Sequence, residues 1–137
     1  MRFLTPEQIR SLAEMAEQAR AALSRFVGYE AAYDPTALQL LDEWIDRHLR
    51  QFPNPSQGTR LLWVSFLGEM FRRRHGGEWA IQGSDKREIL TVLCPAKGGG
   101  VHTVDVSGDV GRRIAQGMSA SLAYVYTITS IELSAKR

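Results

Sequence analysis

Apolar residues recur at helical spacing through the first half of the chain and at a shorter period through its middle. In "LTPEQIRSLAEMAEQARAALSRF" the positions Ile9, Leu12, Met15 or Ala16, Ala19 and Leu23 fall three or four apart, which makes one face of a helix apolar. Thr5 stands ahead of that helix as an N-cap, Pro6 presets φ at its first position, and Glu7 places a carboxylate at the positive end of its dipole. "DPTALQLLDEWIDRHLRQF" repeats the grammar, with Asp34 as cap, Pro35 next, and Leu38, Leu41, Ile45, Leu49 and Phe52 as the stripe expected to be buried. Its charged residues Asp42, Glu43, Asp46, Arg47 and Arg50 are expected mostly to face water. "PNPSQG", residues 53–58, breaks the period and reads as a loop.

The third segment, "TRLLWVSFLGEMFRRRH", has no polar face. Leu61 to Leu67 is interrupted only by Ser65, and a helix apolar on every side is a buried, central one. Gly68 has no side chain and is expected to let another backbone come close. Gly76 is placed to end this helix in a left-handed C-cap, with cationic side chains in the last turn facing the negative end of the dipole.

Beyond residue 77 the pattern changes. "EWAIQG", "EILTVLC" and "VHTVDV" are short runs rich in β-branched and apolar residues, separated by "SDKR" and "PAKGGG". They predict a three-stranded antiparallel meander with the glycines at 98–100 in a hairpin turn. "GDVGRRIAQG" reads as a short helix capped by Asp109 and closed by Gly117. Residues 119–133 carry two signals. Their β-branched content argues strand, whereas Leu122, Val125, Tyr126, Thr129 and Leu133 repeat at helical spacing. The expected class is α+β, with N-terminal helices, a three-stranded antiparallel sheet and two C-terminal helices in one domain spanning 1–137.

Composition narrows the functional classes. With 137 residues, 44% apolar and 23% charged, the chain has the size and balance of one globular domain. A formal charge of +2 is close to neutral, and acidic residues interleave with basic ones almost everywhere except Arg72 to His75, so nucleic-acid binding through Arg72 to Arg74 is the least expected of the readings. One cysteine, Cys94, cannot form an internal disulfide, and no run of apolar residues approaches a membrane span; a cytoplasmic protein is the expectation. His48, His75 and His102 lie in separate elements without metal-ligand spacing, Cys94 has no base beside it, and the glycines at 98–100 precede a strand rather than a helix. No catalytic residue, metal or cofactor is expected.

The chemistry concentrates in "GEMFRRRHGGEW", residues 68–79. Glu69 closes an apolar helix and needs a cation or several donors, for which Arg73 at i+4 and Arg72 at i+3 are the nearest candidates. One reading is a structural ion pair tying the helix end to the sheet, and a second is simply a solvated carboxylate. A third is a ligand site in which Glu69, Arg72, Arg73 and Trp79 surround a small anion or other small molecule. Arg72, Arg73 and Arg74 point about 100° apart on a helix and so do not make one flat phosphate-binding face. Trp79 is expected to pack on the helix before it.

The order "LLDEWIDR", "LGEMFRRRHGGEW", a strand pair, then "DVGRRIAQGMSASLAYVY" resembles an uncharacterised bacterial family of small domains of unknown function. Its members carry a Leu-Gly-Glu followed by basic residues and a Gly-x-Trp, then a short helix and a glycine ahead of a final helix. The likeness runs from about residue 34 to residue 130, leaving residues 1–33 as an added N-terminal helix before a core of 34–133. It implies a helix for residues 119–133. The chain departs from the pattern at "DVSGDV", where aromatic or proline residues are common. The resemblance implies a fold and no activity, and small domains of this sort serve by analogy as binding or immunity-type partners of other proteins. The leading expectation is therefore a non-enzymatic protein-interaction module, binding itself or another protein. Trp44 and Trp63 are expected to contribute an aromatic surface patch.

Overall fold

The computed structural model describes residues 1–83 and 86–135. Ser84 and Asp85, half of the expected "SDKR" connection, lie outside them, as do Lys136 and Arg137. Helix α1, Pro6–Val27, opens with a reciprocal capping box. The Gln8 N–H donates to Thr5 Oγ1 at 3.2 Å and the Thr5 N–H donates to the Gln8 side chain at 2.9 Å. Helix α2, Pro35–Gln51, is capped by Asp34, which accepts from the Ala37 N–H at 2.9 Å. Helix α3, Gln57–His75, starts inside the expected loop because Ser56 Oγ accepts from the Thr59 N–H and so supplies a cap. It ends at Gly76 with φ +65°, the left-handed conformation its glycine allows.

Among the described residues the sheet has four strands rather than three. Strand β1, Arg2–Phe3, joins β2, Glu78–Gln82, β3, Ile89–Pro95, and β4, Val101–Val104, in the order β1-β2-β3-β4, every pair antiparallel. Two residues are too few to show a period of two, so β1 left no sequence pattern. Arg2 Nη2 reaches both carboxylate oxygens of Glu88, at 2.9 and 3.0 Å, on the exposed edge beside it. Trp79 opposes Val92, and Val92 opposes Val104, which puts these side chains on the face that meets the helices.

The C-terminal third corrects one boundary. Helix α4, Val106–Gln116, is capped by Asp105, whose Oδ1 accepts from the Gly108 N–H at 2.8 Å; Asp109 is in its first turn instead. A 3₁₀ turn, Gly117–Ala120, leads into helix α5, Leu122–Ser134. The helical spacing therefore prevails over the β-branched residues: Leu122, Tyr126, Thr129 and Leu133 form the buried side of α5.

Helix α3 is the centre. Every residue from Trp63 to Phe71 is buried, with α1 packed along one side and the sheet and α4 on others. Trp63 is fully buried and meets Trp44 edge-on at 6.1 Å, so it contributes to the core and not to a surface patch. The stripe of α2 is shorter than expected, since Phe52 ends the helix half exposed.

Candidate functional site

Glu69 sits where α3 meets β2, with no exposed side-chain surface. Arg72 grips both of its oxygens, Nε to Oε2 at 2.6 Å and Nη2 to Oε1 at 2.9 Å. Arg73 Nε adds a bond to Oε1 at 3.2 Å, and the indole Nε1 of Trp79 donates to Oε2 at 3.0 Å. Burial pushes the Glu69 carboxyl up, but the Arg72 and Trp79 bonds outweigh it and hold the group below its ordinary value. A carboxylate offers about four lone-pair positions, and four donors already fill them. The sequence brought the right residues together, and their geometry is that of a closed joint between helix and sheet. Gly68 belongs to it in a way not expected: it makes room for the Trp79 ring, not for a backbone.

Arg73 looks outward as well. Its guanidinium lies 3.9 Å over the ring of Tyr33, itself stacked on Phe66 at 5.2 Å. From there it borders an open cleft of about 950 Å³ between the end of α3 and the side of α5. Glu69 and Trp79 do not line this cleft. The residues that do were not expected from sequence. Arg74 donates from Nε to the Tyr126 hydroxyl at 3.1 Å and from Nη1 to the Tyr33 carbonyl at 3.3 Å. His75 Nε2 lies 3.2 Å from the same hydroxyl and 3.0 Å from Ser130 Oγ. Burial, with Arg74 beside it, depresses the His75 pKa, so the ring is neutral near pH 7. Tyr126 and Ser130 are i and i+4 on α5, a spacing that pairs them on one face, although nothing in sequence says which helix they meet.

A second buried ion pair was also missed. Arg113 of α4 is wholly buried and donates from Nε to Asp42 Oδ1 at 2.7 Å and from Nη2 to Asp46 Oδ1 at 2.6 Å. Asp42, expected to face water, is 1% exposed and also accepts from Ser121 Oγ and the N–H groups of Leu122 and Ala123. It thereby caps the first turn of α5 from another helix, at the positive end of that dipole. Arg113 Nη1 is buried without a partner among the described residues. The arrangement knits α2, α4 and α5, with the Asp42 carboxylate and the Nε and Nη2 of Arg113 bonded within the fold.

Among the described residues no group of three His, Cys, Asp or Glu side chains could hold a metal ion, and no helix is long and apolar enough to cross a membrane. Cys94 is a free, buried thiol whose pKa burial pushes up to about 11. Comparison with protein-family models, curated proteins and solved structures finds no match for the chain.

Proposed function

We propose that this protein is a non-enzymatic interaction module of the cytoplasm, and that it docks a second copy of itself on the outer face of α5. One observation carries the reading. Helix α5 is apolar on more than the face it buries: Tyr124 is 64% exposed, Ile128 38% and Ile131 62%, at i, i+4 and i+7 on its solvent side. Large apolar side chains aligned along one exposed helix face are what a helical interface presents.

The stripe itself suggests the partner. Ile128 lies near its middle, with Tyr124 four residues before and Ile131 three after. A two-fold axis through Ile128 therefore sets Tyr124 of one copy against Ile131 of the other, as an isologous contact requires. None of the three is charged, so the pairing brings no like charges together. The likeness to the bacterial family rests on its motifs alone, and the cytoplasmic location is supported by the single reduced, buried cysteine.

Sedimentation velocity across roughly the micromolar to 0.2 mM range tests the pairing. Wild type is expected to shift from monomer to dimer, and Ile128→Glu, which would set two carboxylates face to face, to stay monomeric with unchanged thermal stability. A wild type that remains monomeric throughout removes the self-association reading.

A further inference from the structure

The cleft beside α5 carries an inference that does not rest on pairing: of the stripe Tyr124, Ile128 and Ile131, the cleft shares Ile131 alone, and its polar groups lie off the stripe. We propose that it binds a small organic molecule through a phosphate monoester, with Arg74, Ser130 and the His75–Tyr126 pair holding the phosphate oxygens and Pro35 and Ile131 facing the organic part.

Charge is the first ground. Among the described residues no acidic side chain lines the cleft, and Arg74 forms no ion pair. Glu69 neutralises one of the three arginines at the end of α3, and the C-termini of α3 and α5, the latter reaching the cleft at Ser134 and Ala135, each contribute roughly half a negative charge, which leaves a net positive charge of roughly 1. Glu17, the carboxylate bonded to Tyr33, is matched by Arg20 at 2.5 Å.

Donor supply is the second. The Arg73 Nε is spent on Glu69, but its Nη groups bond to no described residue, and Arg74 Nη2 is likewise uncommitted. Two hydroxyls, of Tyr126 and Ser130, approach the single Nε2 of His75. With the neutral ring's proton on Nδ1, Nε2 accepts from one hydroxyl, and with the proton on Nε2 it donates to one, so on either tautomer at least one hydroxyl keeps its proton for a ligand. A protonated ring would donate instead, and an incoming anion favours that state.

Shape selects the class. The donors come from two helices and several directions, which suits a tetrahedral oxyanion better than the planar edge of a carboxylate. A volume of about 950 Å³ exceeds what a bare anion fills and falls within the roughly 300–1,000 Å³ of small-molecule sites. The Tyr126 hydroxyl is already positioned between Arg74 and His75, and its ring is packed on Phe71 at 4.9 Å, so little ordering is needed on binding.

Titration of the whole chain with phenyl phosphate, inorganic phosphate and acetate at low ionic strength, read by calorimetry and by the His75 ring resonances, decides it. Phenyl phosphate is expected to saturate and to bind on the order of tenfold more tightly than inorganic phosphate, with acetate weakest and the His75 pKa rising on binding. Arg74→Gln, at an exposed position, is expected to weaken phenyl phosphate at least about tenfold, and Ser130→Ala a few-fold. No saturation by about 10 mM, or unchanged affinity in both variants, overturns the site. Acetate binding as tightly as phosphate overturns the ligand class.

Discussion

The indole of Trp79 lies directly against the Cα of Gly68. A Cβ at residue 68 would stand 1.9 Å from the ring and 2.3 and 2.7 Å from its next two carbons. The ring cannot swing aside, because its Nε1 is fixed on Glu69 and it is 1% exposed. Leu-Gly-Glu and the tryptophan ten residues later are thus one packing unit, in which the glycine makes the space and the carboxylate fixes the ring.

Gly68→Ala tests this directly. Alanine should gain about 1 kcal/mol of helix propensity, yet overpacking commonly costs about 1–3 kcal/mol or more, and so rigid a neighbour sets the cost at the high end. A net loss of about 2 kcal/mol is expected in denaturant unfolding. A more stable variant would mean that the ring shifts freely and the unit is not rigid.

Glu69→Ala should be worse, because it strands a buried indole N–H and two guanidiniums. The expected loss is about 3–5 kcal/mol. Glu69→Gln keeps an acceptor for Trp79 and should lose less. Arg72→Ala or Arg73→Ala alone should each lose about 1–2 kcal/mol, because both guanidiniums are more than a third exposed and the other remains. The folded carboxyl pKa is depressed, so this stabilisation is complete above the ordinary value of 4.5 and is lost as pH falls through the folded value. Acid unfolding curves of wild type and Glu69→Gln should converge there.

Helices and their caps were legible because the signals are local. Thr5, Asp34 and Gly76 act within one turn of themselves, and the expectation held at each. The Glu69 cluster was legible for the same reason, its two arginines being three and four residues away. Asp42 was not. Its partner Arg113 lies 71 residues on, and the polar residues around it in α2 gave no sign that a third helix would cover it. The cleft was missed for that reason too: His75 meets Ser130 across 55 residues. The cap of α4 failed differently, since two aspartates four apart both precede apolar residues and only the chain path into the helix chooses Asp105.

Asp42 and Arg113 should respond unequally to truncation. Asp42→Ala leaves a buried guanidinium with the part-exposed Asp46 and the carbonyl of residue 42, and also uncaps α5, so a loss of about 3–5 kcal/mol is expected. Arg113→Met leaves Asp42 with three donors and fills similar volume, and should lose less than half as much. Equal losses in chemical denaturation would show that the cap on α5 adds nothing.

His75 gives the pH dependence its sign. Its folded pKa is below the ordinary 6.5, through burial and then the charge of Arg74; the hydroxyls of Tyr126 and Ser130 face it from α5. As pH falls the unfolded chain takes up this proton first, so stability is complete above about 6.5 and declines below it toward the folded value. His75→Gln should remove that part of the decline. Melting curves between about pH 7.5 and about pH 5.5 compare the two. Parallel curves would mean that His75 takes up its proton as readily folded as unfolded. Saturating phenyl phosphate should flatten the wild-type decline, because an oxyanion beside the ring stabilises the protonated form it otherwise resists.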